Sequence, residues 1–340
     1  MTNLQGENNC DVFKYLKPND STKLSTFKRK DLSDVLRLIN AYNLEMRDTL
    51  GYSENVTYGL EVEFEHSNNS IIDYMLDIFD LSYRWYVKHD ETLIEGGEIA
   101  SPILVDRAKD WNEFQDVCLI LQNNAIIGEN CGGHIHIGTH VLGKKKEAWK
   151  NFLLLYAVYE NIIFRFVYGE YLNHRPQITD YAFPIARMCM DTYEHYDWNA
   201  SLLLKELKKD IDFERYQAIN FFNSCNRFNQ IDDNTIEFRS PNGTLEPVIW
   251  QNNLNLFLAM IKYAKSSHFD KDTILKRYQD VNCLMGEIYY YNRIYKEQAI
   301  EFADLIFQKN IDKVYFLRQY FKSFEVSDIE FVKCKQFVKK

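Results

Sequence analysis

The stretch Gly59-Leu60-Glu61-Val62-Glu63-Phe64-Glu65 alternates apolar and carboxylate side chains without a break. Alternation at a period of two predicts a half-buried strand. Leu60, Val62 and Phe64 then face a core, and Glu61, Glu63 and Glu65 share the opposite face. Side chains two apart on one strand face lie roughly 7 Å apart, so three anions form a short row. Such a row repels itself unless water, basic partners or cations neutralise it. A solvated outer face of an antiparallel sheet is the plain alternative, and this stretch alone does not choose between them.

Three later segments carry matching chemistry. Gly97-Glu98-Ile99-Ala100 follows a glycine turn and stops at Pro102. Cys131-Gly132-Gly133-His134-Ile135-His136-Ile137-Gly138 puts two imidazoles on one strand face and two isoleucines on the other. Thr235-Ile236-Glu237-Phe238-Arg239-Ser240-Pro241 alternates again and places Glu237 beside Arg239. Singly, each has an ordinary explanation. Glu98 can be a turn residue, a strand histidine is more often hydrogen-bonded than ligating, and Glu237–Arg239 can be an ion pair of little energetic worth. The His-x-His spacing serves zinc hydrolases and other metal sites alike. Together, carboxylates with imidazole and a nearby arginine suit hard divalent cations and phosphate. Mg²⁺ and Mn²⁺ prefer oxygen ligands, and Mn²⁺ tolerates an imidazole.

Around these segments the periodicity predicts helices over 31–50, 70–79, 110–124, 145–167 and 247–265, with helical patterning through 271–340. Strands are predicted over 84–89 and 215–226. Residues 169–200, broken by Gly169, Pro176 and Pro184, are long for a connection and read as a binding loop or lid. Of the 340 residues 46% are hydrophobic and 26% charged, with only 13 Gly and 6 Pro, which suits a packed core and excludes extensive disorder. A net charge of −9 disfavours nucleic acid and anionic membrane as partners. Seven scattered cysteines without a CxxC pair suit a reducing cytosol. No apolar leader opens the chain, and the longest apolar run, 152–159, falls far short of the roughly 20 residues of a spanning helix. A cytoplasmic protein with no membrane partner is expected.

The series GLEVEFE, WYVKHDETL, GGEIASPIL, ENCGGHIHIG, RYQAIN and TIEFRSPNGTL, in that order across 58–262, resembles the amidoligase family of the glutamine synthetase/γ-glutamylcysteine synthetase superfamily. The resemblance implies an α+β fold: a curved antiparallel sheet forming the active-site floor, with helices packed on its outer face. It implies a catalytic domain over 51–268; it does not reach 1–50 or 270–340, where the periodicity alone predicts an N-terminal extension with a helix (1–50) and further helices. A helical C-terminal extension (269–340) would pack on the same domain. It also implies ATP-dependent joining of a carboxylate donor to an amine acceptor (amino acid, peptide or protein) through an acyl phosphate, with Mg²⁺ or Mn²⁺. On that basis Glu61 would bind one cation with His134 and Glu237, and Glu63 and Glu98 another. Arg239 and His136 would contact phosphate, and Arg215 and Asn220 the nucleotide, which Gly132 and Gly133 would let the backbone approach. Glu63, Arg239 and His136 would form the catalytic set, with Asp90 and Arg175 on substrate. Residues 169–200 depart from the family pattern. No GxxxxGK[ST] run is present, so phosphate binding rests on metals, Arg239 and His136.

Two other readings stay open. One is a zinc-dependent hydrolase using His134-x-His136, against which stands the lack of repeating βα units of about 30 residues. The other is a non-catalytic binding or assembly protein on a ligase scaffold, against which stands the retention of mutually repelling carboxylates.

Overall fold

The computed structural model describes residues 12–167, 178–195, 216–221, 234–287, 291 and 293–322. Seven strands form one sheet: β1 (Thr57–Phe64), β2 (Tyr86–His89), β3 (Gly97–Ala100), β4 (Leu104–Val105), β5 (Gly133–Gly138), β6 (Ile219–Asn220) and β7 (Thr235–Phe238). Their order is β2-β3-β1-β5-β7-β6, with β4 on the far end of β1. Every strand pair is antiparallel. The sheet stays open, with β2 at one edge and β6 at the other among the described residues. The longer helices are α1 (Arg29–Asn40), α2 (Asn69–Ile78), α3 (Ala108–Asn124), α4 (Lys146–Val167), α5 (Ala186–His195), α6 (Pro247–Ala264), α7 (Lys271–Val281), α8 (Lys296–Ile306) and α9 (Asn310–Phe321). This is an α+β fold.

The alternation in β1 does what its period requires. Leu60, Val62 and Phe64 are fully buried, as are Ile99, Ile135, Ile137, Ile236 and Phe238 from the neighbouring strands. These side chains share the sheet face that α4 and α6 cover. Phe238 stacks on Phe257 of α6 with ring centroids 3.9 Å apart and meets Phe152 of α4 edge-on at 6.3 Å. Burial of each such side chain is worth about 1.5–3 kcal/mol, so this layer dominates stability. Trp250 of α6 completes it. A side chain at Gly133 would put its Cβ 2.5 Å from the Trp250 ring. Gly133 is therefore required by helix–sheet packing. Gly132 turns its amide to the Glu63 carboxylate.

Several boundaries differ from the sequence reading. The first helix ends at Asn40, not near 50, because the backbone beyond it is held by distant side chains. Arg47 donates its amide to Gln251 (3.0 Å), while Leu50 and Tyr52 donate theirs to Asp106 (2.9 and 2.8 Å). Of the strand expected over 215–226, Ile219–Asn220 is observed, and 222–226 lie outside the described residues. Within 169–200 the described part is largely helical, with Ile178–Tyr181 followed by α5. Segments distant in sequence meet here: Asp304 accepts the amides of Leu24 and Ser25, and Asn310 Oδ1 accepts that of Thr22. No helix among the described residues is long and apolar enough to cross a membrane.

Candidate functional site

Strand register brings the polar residues together. Lys88 lies opposite Glu98, and Glu98 opposite Glu63. Glu61 lies opposite His134. His136 lies opposite Glu237, which in turn faces Asn220. Opposed residues of an antiparallel pair share a face. All of these side chains therefore point away from α4 and α6, into a cavity of about 580 Å³ that Asp90, Asn130, Tyr181, Tyr216 and Arg239 also line.

The contacts inside are close. His134 Nδ1 lies 3.1 Å from Glu61 Oε2 and 3.7 Å from Glu237 Oε1, and its Nε2 lies 3.4 Å from Glu63 Oε1. His136 Nε2 lies 3.3 Å from Glu61 Oε2. Lys88 Nζ bridges Glu61 Oε1 at 2.9 Å and Glu98 Oε1 at 2.8 Å. Three overlapping trios offer ligand atoms within 4.8 Å of one another: Glu61 with Glu98 and His134, Glu61 with His136 and Glu237, and Glu63 with Asp90 and Glu98. The Nε2 atoms of both histidines are buried and make no well-aligned hydrogen bond, although a carboxylate oxygen lies 3.4 and 3.3 Å from them. Leaving such an atom unsatisfied costs about 1–3 kcal/mol. An imidazole that gives up its Nε2 proton can ligate among these carboxylates, so the donor set fits a hard divalent cation.

Titration follows from the crowding. Burial opposes ionisation of Glu61, but contacts with His134 and His136 outweigh it and hold this carboxyl far below the usual range. Glu237 is likewise lowered: burial works against it, and the charges of His134 and Arg239 win. Glu98 goes the other way, raised by burial and by the neighbouring Glu61 despite Lys88. Burial would lower His136, yet Glu61 and Glu237 raise it.

Glu61, Glu63, Glu98, His134, His136, Glu237, Arg239 and Asn220, all expected at the site, line this one cavity. Glu63 and Glu98, expected together, share a trio that Asp90 joins; His134, expected with Glu61 and Glu237, lies 3.1 and 3.7 Å from them, and His136 also forms a trio with that pair. Arg239 is paired with Glu237 at 2.5 Å and donates from Nε to the Tyr181 carbonyl at 3.3 Å. Glu65 leaves the row. It lies past the end of β1, where its carboxylate accepts from the Ile94 amide and from Asn130 at 3.0 and 2.9 Å and is packed over Gly128. Arg175 and Arg215 lie outside the described residues. Sequence reasoning missed Lys88. Its alternation with Tyr86 and Asp90 was visible, but only the pairing of β2 with β3 sets it against Glu98.

Residues 75–261 match the model of the family described as "Putative amidoligase enzyme". The match begins beyond β1, so Glu61 and Glu63 precede it, while Lys88, Glu98, both histidines, Glu237 and Arg239 fall inside. A search of curated proteins gave no match. The matched span is more than half of the chain and contains five of the six strands that line the acidic cavity, and the chain belongs to the amidoligase family.

Proposed function

We propose that the chain is an ATP-dependent carboxylate–amine ligase whose sheet is the catalytic floor of a glutamine synthetase-like fold. Residues 51–268 would form the catalytic unit. One observation carries the reading: two buried imidazoles sit among register-matched carboxylates, their Nε2 atoms 3.4 and 3.3 Å from a carboxylate oxygen and in no well-aligned hydrogen bond. A polyphosphate cannot enter so acidic a cavity against the carboxylates of Glu61, Glu63, Asp90, Glu98 and Glu237 without divalent counter-ions. Those residues with His134 and His136 would hold Mg²⁺ or Mn²⁺, which when bound supplies charge neutralisation at phosphate oxygens.

The chain's own groups then have defined tasks. Arg239, whose planar fork matches phosphate, would stabilise charge on the transferring phosphoryl group, with Glu237 and the Tyr181 carbonyl fixing its plane. Asn220 donates to Glu237 Oε2 at 2.7 Å and so orients that carboxylate from the other side. The donor carboxylate attacks the γ-phosphorus and ADP leaves. The amine next attacks the acyl carbon, phosphate departs with the bonding pair, and the amine gives up its proton. Exclusion of water protects the acyl phosphate between these steps. The carboxylate and amine partners would be amino acids, peptides or a protein chain end.

Calorimetry with a non-hydrolysable ATP analogue tests this reading. Binding in the presence of Mg²⁺ and its loss in EDTA are expected. Equal binding with and without metal contradicts the proposed arrangement.

A further inference from the structure

Lys88 sits where a cation ligand set is densest. Its ammonium is held by Glu61 at 2.9 Å and Glu98 at 2.8 Å, and those two carboxylates with His134 form one of the three trios whose ligand atoms lie within 4.8 Å. Lys88 holds Oε1 of each carboxylate, while Glu61 Oε2 faces the imidazoles; a divalent cation on this trio would stand within a few ångströms of the ammonium, and two positive centres that close repel strongly.

Resting on the ligase reading above, we propose that Lys88 is a tethered counter-cation that competes with the divalent ion for Glu61 and Glu98, and that metal binding releases its ammonium into the cavity to meet the anionic substrate. The surroundings allow the movement. Lys88 lies on β2, the edge strand, and its side chain is 38% exposed, so a rotamer change breaks no ladder hydrogen bond. The ring of Tyr86 lies 5.3 Å from Nζ and offers the displaced ammonium an alternative resting place over its face. Beside the imidazoles, Lys88 and Arg239 are the cationic side chains lining the cavity among the described residues. Once released, Lys88 faces the same anionic group as Arg239 from the opposite edge of the sheet. Metal and polyanion then bind in order, because the ion that neutralises the carboxylates also frees a positive charge for the phosphate.

Two measurements on the full chain test this, both with Mn²⁺ alone as the probe. In the wild-type protein, acylation of Lys88 by an amine-reactive ester, followed by mass spectrometry, should be slow without Mn²⁺ and several-fold faster at saturation, as the ion pair opens. By calorimetry, Lys88→Met should bind Mn²⁺ about tenfold more tightly than wild type, since no ion pair has to be broken. Lys88→Arg, which keeps a cation, should stay close to wild type. Mn²⁺ that binds yet leaves Lys88 labelling slow, or a Lys88→Met affinity equal to or weaker than wild type, overturns the competition while leaving the ligase reading intact. No Mn²⁺ binding in either protein overturns both. The labelling experiment needs no variant, so a poorly folded Lys88→Met does not shield the proposal.

Discussion

At the scale of single residues, Glu63 and Arg239 separate catalytic from structural roles most sharply. Glu63 is 4% exposed, accepts the Gly132 amide and lies beside His134 Nε2. Glu63→Gln keeps an oxygen for that amide and removes one of several repelling charges. Turnover should fall by about 10²-fold or more while the melting temperature holds within a few degrees. A collapse in melting temperature with retained turnover would mark Glu63 as a structural acceptor. The plain alternative for Arg239, an exposed ion pair of little energetic worth, does not fit Arg239 and Glu237 side chains that are only 12% and 7% exposed. Arg239→Lys keeps the charge and loses the planar fork, so turnover should drop steeply, by roughly 10³-fold, with a smaller effect on stability. Near-normal turnover in Arg239→Lys would reduce the arginine to a partner of Glu237.

At the scale of elements, the strand alternation and the His-x-His face could be read from the sequence because a period of two fixes the face of every side chain. What could not be read depended on partners far away in the chain. Glu65 keeps the alternation in sequence but lies past the strand end, where Ile94 and Asn130 claim it. Lys88 finds Glu61 and Glu98 through register that a four-residue strand does not encode. The helix α5 was hidden among turn-forming residues because its start is capped from another helix: Glu160 of α4 accepts the amides of Ile185 and Ala186 and the Tyr291 hydroxyl, all within 3.1 Å. Burial pushes the Glu160 carboxyl up to about 7. A carboxyl whose pKa is higher folded than unfolded favours folding most when protonated, so its contribution is lost as pH rises from about 4.5 towards 7. The loss is on the order of 3 kcal/mol. Denaturant melts of wild type and Glu160→Gln across pH 5 to 8 should show the variant gaining on wild type as pH rises. Parallel curves would mean Glu160 does not titrate in that window.

At the scale of the whole molecule, residues 22–25 and 304–313, far apart in sequence, are fastened to each other. Lys313 and Asp304 pair at 2.7 Å with side chains 1% and 7% exposed, and Lys313 also donates to the Thr22 carbonyl. Asp304→Ala strands a buried ammonium and frees two amides, so it should destabilise the fold by about 3–5 kcal/mol in urea melts. An effect below 1 kcal/mol would show that the fastening adds little. Neither the pairing of 20–25 with 304–313 nor its distance from the acidic cavity was visible in the sequence, since the helical period of 271–340 says which face is buried and not against what.

The measurement that reaches the central claim most directly is product analysis of a screen of carboxylate and amine pairs incubated with ATP. A competent pair should yield ADP, phosphate and a new amide by mass spectrometry, in the presence of Mg²⁺ or Mn²⁺ and not in excess EDTA. AMP and pyrophosphate as products, or amide formation that survives EDTA, would contradict a metal-dependent ligase built on Glu61, Glu63, Glu98, His134, His136 and Glu237.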